Sequence, residues 1–86
     1  MADYVVELKR SAQKELERLP ADVLERMIAK LEKLANDPRP DGCKKLKGGS
    51  GEYRIRVGEY RAVYVADDAR RFISVTRIRH RSEVYE

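Results

Sequence analysis

The feature that most constrains the fold is the segment 53–64, YRIRVGEYRAVY, in which polar and apolar residues alternate on both sides of a Gly-Glu pair. Alternation with a period of two is typical of a β-strand that buries one face. Two such runs joined by a pair containing glycine predict a β-hairpin whose turn is Gly58 and Glu59. That turn defines four facing pairs, which are Val57 with Tyr60, Arg56 with Arg61, Ile55 with Ala62, and Tyr53 with Tyr64.

The same alternation separates charge from apolar surface across the hairpin. Arg54, Arg56 and Arg61 share one face, and the aliphatic residues and tyrosines share the other. Two like charges directly opposite each other weaken a sheet, and at about 5 Å in water they repel by roughly 0.8 kcal/mol. An anion bound between them would relieve this repulsion, and guanidinium groups bind phosphate well. The face therefore predicts a nucleic-acid phosphate site, with a merely solvated basic surface as the alternative.

The net charge of +4 is concentrated in the second half of the chain. Residues 1–40 hold eight Lys/Arg against eight Asp/Glu, whereas residues 41–86 hold eleven against seven. Clustered positive charge steers polyanions toward a surface. The distribution agrees with nucleic-acid binding, although ordinary solubility charge would also account for it.

Length and composition exclude several classes of protein. We expect one domain, residues 1–86, because a chain of 86 residues supports a single modest core. No apolar run approaches the roughly 20 residues of a membrane span, and no leader is evident, so we expect a cytoplasmic protein without a membrane partner. Cys43 and His80 are each the only residue of their type, which predicts no disulfide, no metal site and no cofactor.

The remaining pattern predicts the fold class. A strand at residues 4–8 precedes a helix capped by Ser11, and Pro20 separates this helix from a second one, at about residues 22–36. We predict an α+β domain in the order β-α-α-β-β-β, an antiparallel sheet with the N-terminal helical hairpin packed on one face. The other face would be open and would carry the arginines. A turn at 68–69 predicts the last register, which places Ile73 opposite Tyr64, Val75 opposite Ala62 and Thr76 opposite Arg61.

The loop before the hairpin is rich in glycine and lysine. Its glycines lack the Gly-Lys-Ser/Thr ending of a phosphate-binding loop, so a nucleotide site is not expected. Lys44, Lys45 and Lys47 are candidate phosphate contacts, with plain surface lysines as the alternative.

The C-terminal segment 77–86, RIRHRSEVYE, supplies cations, one group that titrates near neutrality and one aromatic ring. RNA cleavage without a metal needs a proton removed from the 2′-hydroxyl, charge neutralised on the phosphorane, and a proton given to the 5′ oxygen. Arginines can neutralise the charge, while His80, Tyr85 or water can share the proton transfers. Tyr85 could also stack on an unpaired base.

The hairpin sequence and the ending Arg-His-Arg-Ser-Glu-Val-Tyr resemble the RelE branch of the RelE/ParE toxin superfamily. The likeness covers essentially the whole chain, including the early strand, the helical pair ending in Asn-Asp-Pro and the Lys-Leu-Lys-Gly segment. It implies a toxin of a toxin–antitoxin pair that enters the ribosomal A site and cuts mRNA by 2′-hydroxyl attack. Its partners would be a cognate acidic antitoxin, the ribosome and mRNA. The alternatives are a ParE-like inhibitor of DNA gyrase without catalysis and an inactive RNA-binding relative.

The resemblance also assigns roles to residues. Arg61 would stabilise transition-state charge, Tyr85 would stack or abstract a proton, and either Arg79 or His80 would act as the acid. An arginine with a pKa above 12 is a poor proton carrier, so Arg54 and Arg56 are better suited to an electrostatic clamp. The candidate catalytic residues are Arg56, Arg61, Arg79, His80 and Tyr85. The candidate RNA contacts are Lys44, Lys45, Lys47, Arg54, Arg56, Arg77 and Arg81, although Arg77 and Arg81 could instead be surface residues or antitoxin contacts.

Overall fold

The computed structural model describes residues 3–47 and 51–83. These residues form five strands, two α-helices and one short 3₁₀-helix. In chain order the elements are β1 (Val5–Leu8), α1 (Arg10–Glu17), α2 (Ala21–Lys33), β2 (Lys44–Lys45), β3 (Glu52–Val57), β4 (Tyr60–Asp67), β5 (Phe72–His80) and the 3₁₀-helix Arg81–Glu83.

The two helices form the predicted pair, with small differences at their ends. Lys9 occupies the N-cap of α1 and makes no side-chain capping bond, so the predicted Ser11 cap is wrong and Ser11 lies inside the helix. Pro20 occupies the N-cap of α2, where the missing N–H of proline costs nothing. That helix ends at Lys33, and tighter i→i−3 bonds continue the chain as a turn through Asn36. The longest described helix has 13 residues, and none of the described helices has the length and apolar character of a membrane span.

The five strands form one sheet in the order β1-β5-β4-β3-β2. The predicted α+β class with a helical pair beside the sheet is confirmed. The sheet is mixed rather than wholly antiparallel, because β1 pairs with β5 in the parallel direction. A parallel pair requires a long connection, and here the helices and the hairpin supply it. The loop after α2 also contributes an unpredicted short strand, β2, which pairs with β3.

The hairpin β3–β4 has the predicted register at every facing pair, including Arg56 opposite Arg61. Gly58 has a φ of +57°, and Arg71 is the only described non-glycine residue with a positive φ. Glycine at the first central position with a negative φ at Glu59 is the pattern of a two-residue turn that matches strand twist.

The predicted register between β4 and β5 is wrong. Asp67 pairs with Phe72, so the connection has four residues rather than two, and Arg71 takes a φ of +52° within it. A β-bulge at Val63/Tyr64 then shifts the pairing by one more residue. Arg61 consequently lies opposite Arg79, and not opposite Thr76 as predicted.

The main core lies between the helices and one sheet face. Tyr64 is fully buried there, and its hydroxyl donates a hydrogen bond of 2.6 Å to the carbonyl oxygen of Pro38. Burial raises the pKa of this phenol above its ordinary value. The other buried members of this core are Ala12, Leu16, Val23, Met27, Leu31, Leu34, Ile55, Val57, Ala62, Ile73, Val75 and Ile78.

Candidate functional site

Three arginines lie side by side across three strands on the face away from the helices. Arg56 on β3 is opposite Arg61 on β4, and Arg61 is opposite Arg79 on β5. Directly opposite residues project to the same face of a sheet. We call these three residues the arginine row. The hairpin turn aligns Arg56 with Arg61, and the bulge between β4 and β5 aligns Arg61 with Arg79.

A second set of residues runs parallel to the arginine row, two positions along each strand. Arg54 lies between Lys44 and Val63, and Val63 lies opposite Arg77. Arg77 also approaches Glu52 at 3.8 Å. The basic face is therefore defined by the two sets together, namely Lys44, Arg54, Arg56, Arg61, Arg77 and Arg79.

The basic face is less open than the sequence suggested. Arg54 and Arg61 are only 5% and 7% exposed, whereas Arg56 is exposed. The prediction that this face is fully open is therefore wrong for Arg54 and Arg61. The segment that contains β2 folds against β3, and its Leu46 forms a small buried cluster with Val63 on the side of the arginines.

The two buried arginines donate to backbone oxygens. Arg54 Nη1 lies 3.0 Å from the carbonyl oxygen of Gly42, and Arg61 Nη1 lies 3.5 Å from that of Tyr60. A buried guanidinium that donates to backbone oxygens has a restricted orientation. These two cations are therefore better ordered than exposed Arg56.

Arg79 is held by Glu15 on α1. Its Nε donates to Glu15 Oε2 at 2.7 Å, and the other carboxylate oxygen accepts the backbone N–H of Ile78 at 2.9 Å. The carboxylate stabilises the charged guanidinium and so raises the pKa of Arg79 above its ordinary value. Nothing in the local sequence pattern distinguished Glu15 from the solvated glutamates of the same helix.

Lys30 on α2 is the second residue that sequence reasoning missed. Its ammonium group donates to the carbonyl oxygen of Arg56 at 2.8 Å. Both outer strands of the arginine row are thus anchored by a charged side chain from a helix.

His80 lies opposite Tyr60, one position along β5 from Arg79. Because neighbouring residues of a strand face opposite ways, its side chain is on the helix side of the sheet. The two rings meet edge to face with centroids 5.6 Å apart. Nδ1 of His80 accepts the backbone N–H of Ser82 at 3.2 Å, which leaves Nε2 as the protonated nitrogen of the neutral ring. At the end of β5, His80 and Arg79 both line a shallow cavity of about 230 Å³ from opposite faces of the strand.

Three of the remaining candidates lie outside the basic face, namely Lys45, Lys47 and Arg81. Lys45 is opposite Tyr53 and so projects to the other side of the sheet from Lys44, and Lys47 is exposed in a turn. Arg81 forms an exposed ion pair of 2.9 Å with Glu59, which fastens the chain after β5 to the hairpin turn. Tyr85 lies outside the described residues.

The geometry suits the binding of a polyanion. The described residues contain no group of three or more His, Cys, Asp and Glu side chains that could hold a metal ion. The arginine row instead offers guanidinium groups from three adjacent strands. Such groups can bind non-bridging phosphate oxygens and neutralise charge that develops on them.

Comparisons with known proteins agree on one family. A family model described as the ParE toxin of type II toxin–antitoxin system, parDE, matches residues 6–85. The RelE1 protein of Methanocaldococcus jannaschii is 32% identical over 86 residues, which cover 96% of each chain. Toxin RelG of Mycobacterium tuberculosis is 26% identical over 95% of each chain.

Solved structures show the same fold. RelE from the archaeal RelE–RelB complex of Pyrococcus horikoshii aligns with a TM-score of 0.82 and 25% identity, covering 95% of this chain and 99% of that one. The isolated E. coli RelE toxin aligns with a TM-score of 0.78 and 28% identity, covering 90% and 83% respectively. The chain therefore belongs to the RelE/ParE superfamily and is a RelE-like toxin of a type II toxin–antitoxin system.

Proposed function

We propose that this toxin is a ribosome-dependent endoribonuclease that cuts mRNA in the A site and so inhibits translation. The observation that carries the proposal is the arginine row, in which Arg56, Arg61 and Arg79 face one another across three strands. A purely structural surface gains nothing from this arrangement, because like charges opposite one another destabilise a sheet. A bound phosphate turns the same repulsion into attraction.

The reaction we propose is attack of the RNA 2′-hydroxyl on the adjacent phosphorus, with departure of the 5′ oxygen and no metal ion. Exposed Arg56 binds the phosphate backbone. Arg61, which is nearly buried and held by a backbone oxygen, stabilises the charge of the phosphorane. Arg79 at the end of the row neutralises the leaving oxygen. Their role is electrostatic, because an arginine does not give up its proton near neutral pH.

Proton transfer needs other groups. His80 projects to the helix side of the sheet, away from the arginine row. We therefore assign the proton transfers to Tyr85 and water rather than to His80. Lys44, Arg54 and Arg77 would extend the phosphate contacts along the strands.

The proposed partners follow from charge and from the relatives. The chain carries a net charge of +4, concentrated in its second half, so an acidic cognate antitoxin would complement it. The P. horikoshii and E. coli relatives are seen in complexes with RelB. A cytoplasmic location follows from the proposed ribosomal target.

The test is primer extension on a defined message that purified ribosomes are translating. We expect cuts within A-site codons when the toxin is added, and a loss of at least about 100-fold in cutting rate for Arg61→Ala. Arg70→Ala is the matched control, because Arg70 is an exposed arginine in the turn after β4. It should cut at the rate of the unmodified toxin.

The same preparation should be added to a gyrase supercoiling assay, since the matching family model carries the ParE name. Intact message together with arrested supercoiling would replace our proposal with the gyrase alternative.

A further inference from the structure

We propose that Glu15 is a positioning residue for Arg79, and this inference rests on the proposed ribonuclease function. Glu15 belongs to α1, on the other side of the sheet from the arginine row. Its carboxylate reaches the end of β5 and binds two consecutive residues there, Ile78 through the backbone and Arg79 through the side chain. In the proposed reaction Glu15 does not contact the reacting atoms. It positions the Arg79 guanidinium, which does.

The contact exists because the edge of β5 is open at this point. β1 pairs with Phe72–Val75 and ends at Leu8, so it does not cover the end of β5. The N–H of Ile78 points away from β4 and would lack a strand partner. One oxygen of Glu15 accepts this N–H at 2.9 Å. The carboxylate thus takes the place of a strand and fixes the backbone that carries Arg79.

The second oxygen fixes the side chain. It accepts Nε–H of Arg79 at 2.7 Å, which is a short, charge-assisted hydrogen bond. Binding through Nε leaves the four Nη hydrogens outside this bond, and these form the fork that fits a phosphate. The Arg79 side chain is 40% exposed, and a long exposed side chain would otherwise sample many rotamers.

Glu15 also brings one negative charge to the end of a row of three positive charges. This lowers the electrostatic cost of keeping Arg79 beside Arg61 in the absence of RNA. A glutamine would not replace it. Both partners of the carboxylate are donors, and an amide has only one accepting oxygen, so its NH₂ group would face one of the two donors.

The first experiment compares single-turnover cutting rates of ribosome-bound message. We expect Glu15→Gln to reduce the rate by roughly 10- to 100-fold, because displaced catalytic groups have effects of this size. Glu17→Gln is the matched control on the same helix. Glu17 is exposed and accepts a bond from Gln13 one turn earlier in α1, so its variant should keep the full rate.

A double-mutant cycle separates positioning from general damage to the fold. If Glu15 acts through Arg79, then adding Glu15→Gln to Arg79→Ala should cause no further loss of rate. Should Glu15→Gln fail to fold, Glu15→Asp provides a second test. Aspartate keeps the charge but is one methylene shorter, so it should not reach both the Ile78 N–H and the Arg79 Nε–H. We expect a loss of rate that again disappears in the Arg79→Ala background.

A readout that does not depend on activity is the ¹H–¹⁵N resonance of the Arg79 Nε–H group, assigned by its absence in Arg79→Lys. We expect this proton to be shifted and protected from exchange in the unmodified toxin and in Glu17→Gln, and to lose both properties in Glu15→Gln.

Three results would count against the inference. Additive losses in the cycle, or an unchanged rate for a folded Glu15→Gln, would remove Glu15 from the positioning role. An Arg79 Nε–H that exchanges freely in the unmodified toxin would do the same. If the unmodified toxin cuts no message at all, the proposed function fails and the inference falls with it, whereas the first three results leave the function standing.

Discussion

Arg61 on β4 lies directly opposite Arg79 on β5, although the register of the pairs nearer the turn, continued without a break, would give Arg61 a different partner. The bulge at Val63/Tyr64 produces this pairing, since it inserts one extra residue on β5 between the turn and the arginines. In water, two unit charges about 5 Å apart repel by roughly 0.8 kcal/mol. The arginine row contains two such pairs of facing charges, Arg56 with Arg61 and Arg61 with Arg79. Glu15 offsets part of the repulsion at the Arg79 end.

The exposed member of the row should contribute to RNA binding through a phosphate contact. We expect Arg56→Gln to weaken binding of single-stranded RNA and to reduce the slope of log K against log salt by about 0.7, the value for one phosphate contact. The measurement is fluorescence anisotropy with a labelled oligonucleotide at several salt concentrations. Arg70→Gln, which removes an equal charge from the turn after β4, should leave the slope unchanged. Equal slopes for Arg56→Gln and the unmodified toxin would remove Arg56 from the interface.

His80 should be dispensable for the proton transfers. Its ring packs against Tyr60 on the helix side, and its Nδ1 accepts a bond from the Ser82 backbone. Loss of a true general acid or base lowers a rate by about 10²–10⁴-fold. We expect His80→Gln to lower the rate by much less than about 100-fold and to leave the pH profile of single-turnover cutting unchanged. A rate loss of that size, with a flattened pH profile, would show that His80 does reach the reaction.

Acid should weaken the fold through Asp68, which joins three parts of the chain. Its carboxylate accepts two bonds from Arg39 and one from the hydroxyl of Tyr4. These bonds, those of Arg39 first, lower the pKa of Asp68 below its ordinary value of 3.8. A group whose pKa is lowered by folding adds stability above its ordinary pKa and loses it as the pH falls through the folded value.

We therefore expect Asp68→Asn to unfold at lower urea than the unmodified toxin at pH 7 and pH 5. The difference should shrink as the pH falls below 3.8 and through the lower pKa of the folded state, because Asp68 is protonated in both states only below that folded value. Asp41→Asn, an exposed carboxylate in the loop before β2, is the control and should show little difference at any pH. If the difference in urea stability between Asp68→Asn and the unmodified toxin persists unchanged at about pH 2.5, the ionised Asp68 carboxylate is not the source of that stability.

The sequence predicts the hairpin register well because a two-residue turn and a regular alternation are both local features. It fails for β5 because a four-residue connection with Arg71 at positive φ, followed by a bulge, depends on packing against β1 and β4. The sequence identified Arg79 as a site residue but could not place it in a row with Arg61.

The helix residues that support the site were missed for a related reason. Glu15 and Lys30 look like ordinary solvated charges in the sequence, and only the tertiary packing brings them to Arg79 and Arg56. The burial of Arg54 and Arg61 was equally invisible in the sequence. For Arg54, the residues that contact this face, Gly42 and Leu46, belong to a segment that was expected to be a plain loop. Residue type is local information, whereas exposure is set by distant parts of the chain.

The turn that sets the hairpin register should depend on Gly58. A Cβ at this position would meet only Arg26 Nη2 at 3.5 Å, so space does not forbid alanine, but the φ of +57° does disfavour it. We expect Gly58→Ala to lower the free energy of unfolding by about 1–2 kcal/mol, measured by urea titration. Glu59→Ala in the same turn loses only an exposed ion pair with Arg81 and should cost less. If the two variants are equally stable, the turn must relax to accommodate alanine. In that case cutting activity should fall with Gly58→Ala alone, because the register that places Arg56 opposite Arg61 depends on this turn.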